Sequence, residues 1–104
     1  MPKLTDKERD ALKKQHPNGL LLVSLKAEKD KEAEDFVFKK PSMATVAASA
    51  TCQEADPVRA NLIIFNDCLV FGDKTAANDP DRFLSISPNL SNLVKTRQVE
   101  VGEL

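Results

Sequence analysis

Apolar residues follow two rhythms along this chain, and the rhythm changes at Pro41. Ahead of it, LLLVSLKA from Leu20 to Ala27 is rich in strand formers. EDFVFKK from Glu34 to Lys40 alternates, with Phe36 and Phe38 on one face and Val37 on the other. The charged stretch between these runs, EKDKEA, has no glycine. The pattern therefore predicts a β-hairpin with a solvated tip longer than a two-residue turn. A lone hairpin is marginal in water, so one of its faces must pack on helices or on another subunit.

Beyond Pro41 the apolar positions recur every three or four residues. Met43, Val46, Ala47 and Ala50 form one side of a small-residue helix whose first turn Pro41 favours. That side is expected in the core, the alternative being an interface with another chain. Asp56 as N-cap and Pro57 at the first helical position start a second helix, with Val58, Leu62, Phe65 and Leu69 in a stripe flanked by Ile63 and Ile64. This is the expected central core helix, closed by Gly72-Asp73 after Phe71 and followed by a polar loop, KTAAN. Asp79-Pro80 starts a third stripe, Phe83, Leu84, Ile86, Leu90, Leu93 and Val94, which Pro88 should kink or divide. At the other end, Thr5 and Glu8 have the spacing of a capping box, and His16-Pro17-Asn18-Gly19 stops the helix they begin. Only Leu4, Ala11 and Leu12 are apolar there, which predicts a surface helix.

The elements add up to an α+β fold: an N-terminal helix, one β-hairpin, then three to four helices packed as a small bundle. The expected organisation is a single domain over residues 1–104, with the helix in 1–19, the hairpin in 20–40 and the helical part in 41–104, where the tail TRQVEVGEL frays. Five Phe with no Trp or Tyr predict an aliphatic, small core.

Charge narrows the classes of function. Residues 1–40 carry ten Lys/Arg against eight Asp/Glu, and residues 41–104 carry five against eight, so neither half offers the strongly basic surface that nucleic acid requires. Apolar runs such as Leu20–Val23 are far shorter than the ~20 residues of a membrane span, and the first 30 residues lack the apolar stretch of a signal peptide. The expectation is a cytoplasmic protein with no membrane or nucleic-acid partner. Cys52 and Cys68 lack CxxC spacing and read as reduced thiols, and with His16 they do not make a zinc set. Asp67 and Asp73 read as a solvated surface residue and a cap rather than as a metal pair. Without a glycine-rich phosphate loop or a nucleophile with its base, the chain is expected to be non-enzymatic, with no catalytic, metal or cofactor-binding residues and no cofactor.

Three motifs in succession carry a resemblance. They are Phe36-Val37-Phe38-Lys39-Lys40-Pro41, then Asp56-Pro57 with Ile64-Phe65-Asn66-Asp67-Cys68 and Gly72-Asp73, then Asp81-Arg82-Phe83-Leu84-Ser85-Ile86-Ser87. In this order and spacing, over roughly residues 34–98, the chain resembles the small tail assembly chaperones of long-tailed bacteriophages and prophages. Pro88 departs from the pattern, standing where relatives more often have Gly or a polar residue. The resemblance implies a non-enzymatic protein that binds the tape measure protein during tail morphogenesis in the bacterial host's cytoplasm, and that self-associates into rings or spirals. Candidate partner-binding residues are Phe36, Phe38, Lys39, Lys40, Met43, Val46 and Ala47. Two other readings fit a chain of this size: a structural ring or completion subunit of a phage virion, and a bacterial adaptor domain.

Overall fold

The computed structural model of the protein describes residues 3–93 and 98–104, apart from the side chains of residues 91 and 92. Four α-helices and a three-stranded antiparallel sheet give an α+β fold. Helix α1 (Asp6–Gln15) begins in the capping box read from the sequence, where the Glu8 N–H donates to Thr5 Oγ1 at 3.2 Å and the Thr5 N–H to Glu8 Oε1 at 3.3 Å. None of its residues is buried. Strand β1 (Leu20–Leu25) pairs with β2 (Glu34–Lys39), and β2 pairs on its other edge with β3 (Leu69–Phe71). Helices α2 (Met43–Cys52) and α3 (Pro57–Cys68) pack together, and α4 (Pro80–Ile86) follows a 3-10 turn over Lys74–Asn78. Pro88 divides the last stripe as expected: α4 ends at Ile86 and a 3-10 segment, Ser87–Leu93, continues it. Val94 of that stripe and Thr96 and Arg97 of the tail lie outside the described residues. Among the described residues no helix is long and apolar enough to cross a membrane.

Several local expectations give way to tertiary structure. The hairpin tip is a two-residue turn after all, because Glu28 and Lys31 exchange both backbone hydrogen bonds at 2.9 Å around Lys29-Asp30. Among the described residues no non-glycine residue has positive φ, which excludes the primed turns whose twist suits a hairpin. The ladder accordingly lapses between this bridge and the first paired residues, Leu25 and Glu34. Helix α3 ends at Cys68, not beyond Phe71, and the chain turns extended at Leu69 to add the third strand. The β formers Val70 and Phe71 gain more from pairing with β2 than from another helical turn. Gly72 is what lets this strand leave β2 so closely: its φ is +125°, and a Cβ there would stand 2.7 Å from a ring carbon of Phe36. KTAAN is helical rather than a loop, capped by Asp73 through the Thr75 N–H at 3.0 Å. Ser42 caps α2 through the Thr45 N–H at 3.2 Å, so Pro41 precedes the helix instead of opening it.

The core is aromatic, not merely aliphatic and small. Phe65 of α3 stands among Phe38, Phe83 and Phe36 at ring-centroid distances of 5.4, 5.9 and 6.3 Å, the first two edge-on. Each such contact adds about 0.5–1.5 kcal/mol beyond area burial. Few aromatic residues suffice because four of the five phenylalanines converge on one point from β2, α3 and α4. Ile86, Leu90 and Leu93 complete the cluster, with Leu21, Val23 and Leu25 of β1 against it. These residues define the inner face of the sheet. On the outer face the register sets Leu20 opposite Lys39, Leu22 opposite Val37 and Ser24 opposite Asp35, with Val37 also opposite Phe71 of β3.

Candidate functional site

The seven residues expected to bind a partner separate into two groups. Phe36 and Phe38 have no exposed surface, and they are corrected here from contact residues to core residues. The reason is period two: both point to the inner face, where α3 and α4 close over them. Lys39, Lys40 and Ala47 are exposed, Met43 is 80% exposed, and Val46 is half-buried. Helix α2 is turned opposite to the orientation its apolar side suggested. It buries Thr45 and Ser49 against α3, satisfying them through Asp67 Oδ2 at 3.2 Å and the Ala60 carbonyl at 3.3 Å. Small hydroxyl side chains allow close helix approach and find acceptors there. Met43, Ala47 and Ala50 are thereby left on the surface.

The exposed basic pair borders an open cleft of about 530 Å³ where β2 passes into α2. Its walls include Asn18, Pro41, Ser42, Thr45, Asp67 and Cys68. Burial, reinforced by the Asp67 carboxylate, pushes the Cys68 thiol up, so it stays protonated at neutral pH. Neither Cys68 nor Cys52 is in a disulfide.

A second depression of about 350 Å³ lies between α1 and the outer face of the sheet. Leu4, Leu12, Leu20, Leu22 and Val37 give it an apolar floor, while Arg9, Lys13 and His16 stand on its helix side. The helix is held above the sheet through Asp35, whose Oδ2 accepts the Leu4 N–H at 2.8 Å and whose Oδ1 accepts the Ser24 hydroxyl at 2.7 Å. The Leu4 N–H foremost, then the Ser24 hydroxyl and nearby Lys3 and Arg9, hold the Asp35 carboxyl below its ordinary range.

The third feature is an ion cluster around Arg82, whose side chain is 16% exposed. Its Nε donates to Asp79 Oδ2 at 2.8 Å, its Nη1 to Glu34 Oε1 at 2.9 Å and to Asp73 Oδ2 at 3.0 Å, and its Nη2 to Thr75 Oγ1 at 3.3 Å. Asp73 and Asp79 each spend one carboxylate oxygen on a helix cap and the other on this guanidinium. The Thr75 hydroxyl and N–H, with Arg82, lower Asp73 to about 2, and Arg82 likewise lowers Asp79. Because Glu34 begins β2 while the caps begin the 3-10 turn and α4, Arg82 ties three elements into one corner. Every carboxylate in it is matched by N–H or O–H donors, so the arrangement is that of a structural clamp. Among the described residues no group of three or more His, Cys, Asp or Glu side chains is placed to hold a metal ion.

Sequence reasoning missed the groove and the clamp. The Asp79–Arg82 spacing is a local signal, whereas Glu34 lies 48 positions from Arg82 and only the fold joins them. Compared with protein-family models, with curated proteins and with solved structures, the chain gives no significant match.

Proposed function

We propose that this chain is a non-enzymatic tail assembly chaperone of a long-tailed bacteriophage or prophage. In this reading it binds the tape measure protein in the cytoplasm of the bacterial host and acts as a homo-oligomer. The motif succession from Phe36 to Ser87 names the family it resembles. The observation that carries a polypeptide-binding role is the surface at the start of α2, where Met43, 80% exposed, follows the exposed Lys39 and Lys40 in the chain, with Ala47 exposed and Val46 half-buried one turn on. A methionine adapts its shape to varied apolar side chains, and the lysines reach acidic positions on the same client. The client-contact set is therefore Lys39, Lys40, Met43, Val46 and Ala47, without Phe36 and Phe38.

Co-expression with the tape measure protein encoded beside it, followed by affinity capture, tests the reading. A stable complex that is lost in Met43→Asp while the circular dichroism spectrum is unchanged supports it. Absence of association, with the chain recovered in purified virions, overturns it in favour of a structural ring subunit.

A further inference from the structure

Two features of the described residues suit one another. One is the groove under α1, where Leu12, Leu20, Leu22 and Val37 form an apolar floor beside the cationic side chains of Arg9 and Lys13. Leu22 is 43% exposed there although it sits in a strand. The other is the segment QVEVGEL at residues 98–104, which has no regular structure and leaves Val99 81% and Val101 89% exposed. This segment alternates: Val99 and Val101 share one side of an extended chain with Glu103 beyond them, and Glu100 is on the opposite side.

We propose that the carboxyl-terminal segment 98–104 of one copy docks into the α1–sheet groove of a second copy. The fit is chemical on both sides. Val99 and Val101 find the leucine-lined floor, and Glu100, on the opposite side of the strand, faces Arg9 and Lys13 on α1, giving an acidic position against the basic wall of an apolar groove. Docking covers exposed apolar surface on both partners at once. Each chain carries one groove and one segment that are different surfaces, so the contact is head-to-tail and is completed by reciprocal exchange in a dimer or by closure of a ring. The inference deepens the self-association in the proposed function and is independent of any client.

Sedimentation velocity of the full-length chain, without a client, tests it. The wild type is expected to self-associate with rising concentration, and raised ionic strength should weaken the association. Val99→Asp/Val101→Asp disables the segment, and Arg9→Glu/Lys13→Glu/Leu22→Glu disables the groove. With circular dichroism unchanged, each weakens association by at least about tenfold, the first because two buried valines become charged and the second because the cations and an apolar floor residue are lost together. Mixed together, these two variants retain one competent groove and one competent segment, and they form a 1:1 heterodimer that grows no larger. Glu100→Lys combined with Arg9→Glu/Lys13→Glu in one chain restores self-association. A wild type that stays monomeric throughout, variants that associate as wild type does, or a mixture that remains monomeric would each overturn the proposal. Client capture by a chain that never self-associates would remove this contact and leave the client-binding reading standing.

Discussion

The two faces of the sheet are built from the same strands and reach different ends. On the inner face, Phe36 and Phe38 are sealed against Phe65 and Phe83, and the Arg82 clamp fastens the corner where β2, the 3-10 turn and α4 begin. On the outer face, α1 has no buried residue and stays in place through the Asp35 carboxylate and a few leucine contacts. Side-chain size does not separate them, since Leu20 and Leu22 are as apolar as Leu21 and Val23. The difference lies in what arrives to cover them: α3 and α4 bring aromatic and branched side chains to one face, and α1 brings mainly charges to the other. Stability is therefore concentrated on one side of the sheet, and accessible apolar surface on the other.

The comparison is broken most severely at its aromatic centre. Phe65→Ala leaves a cavity between two strands' worth of packing and two helices, and it is expected to lower unfolding free energy by about 4 kcal/mol, measured by urea denaturation. Arg82→Met comes next, at about 3 kcal/mol, because it leaves Glu34 buried without its cation, and the loss should show in the same measurement.

Acid probes the same corner. The folded-state pKa of Asp73, about 2, and the lowered pKa of Asp79 lie below the ~3.9 of an unfolded aspartate. The unfolded chain thus binds more protons in this window, and stability rises with pH there. The contribution is complete above about pH 4 and disappears as pH falls toward 2. Denaturation midpoints recorded across this range should fall less steeply in Asp73→Asn than in wild type.

Much of this architecture was legible where the signal is local. The Thr5–Glu8 capping box and the Asp56-Pro57 and Asp79-Pro80 starts are short-range devices whose hydrogen bonds close within a few residues, so the sequence pattern and the structure agree on them. What escaped depends on partners far away in the chain. Leu69–Phe71 continues the helical stripe until β2 offers an edge, and α2 looks apolar-inward until Asp67 and the Ala60 carbonyl claim its hydroxyls. The candidate site divides in the same way. Lys39 and Lys40 are on the surface as expected, Met43 and Ala47 are there although their side of α2 was expected in the core, and the alternation of Phe36 and Phe38 could not say which face the helices would cover. The groove was invisible because it exists only once Asp35 has drawn Leu4, and α1 behind it, over the sheet.

The smallest expected effect sharpens the comparison from its weak side. Asp35→Asn weakens a charge-assisted bond to the Leu4 N–H and should cost only about 1 kcal/mol by denaturation. The same substitution should raise the susceptibility of residues 1–19 to limited proteolysis, with the phenylalanine cluster undisturbed.

Hydrogen exchange on the dilute, monomeric protein, resolved by residue, tests most directly the claim that one face of the sheet carries the fold. Amides of α1 should exchange through local opening, many orders of magnitude faster than those of β2 and α3, which open only with global unfolding. Equal protection of α1 and α3 would contradict the account, because the two faces would then be fastened alike.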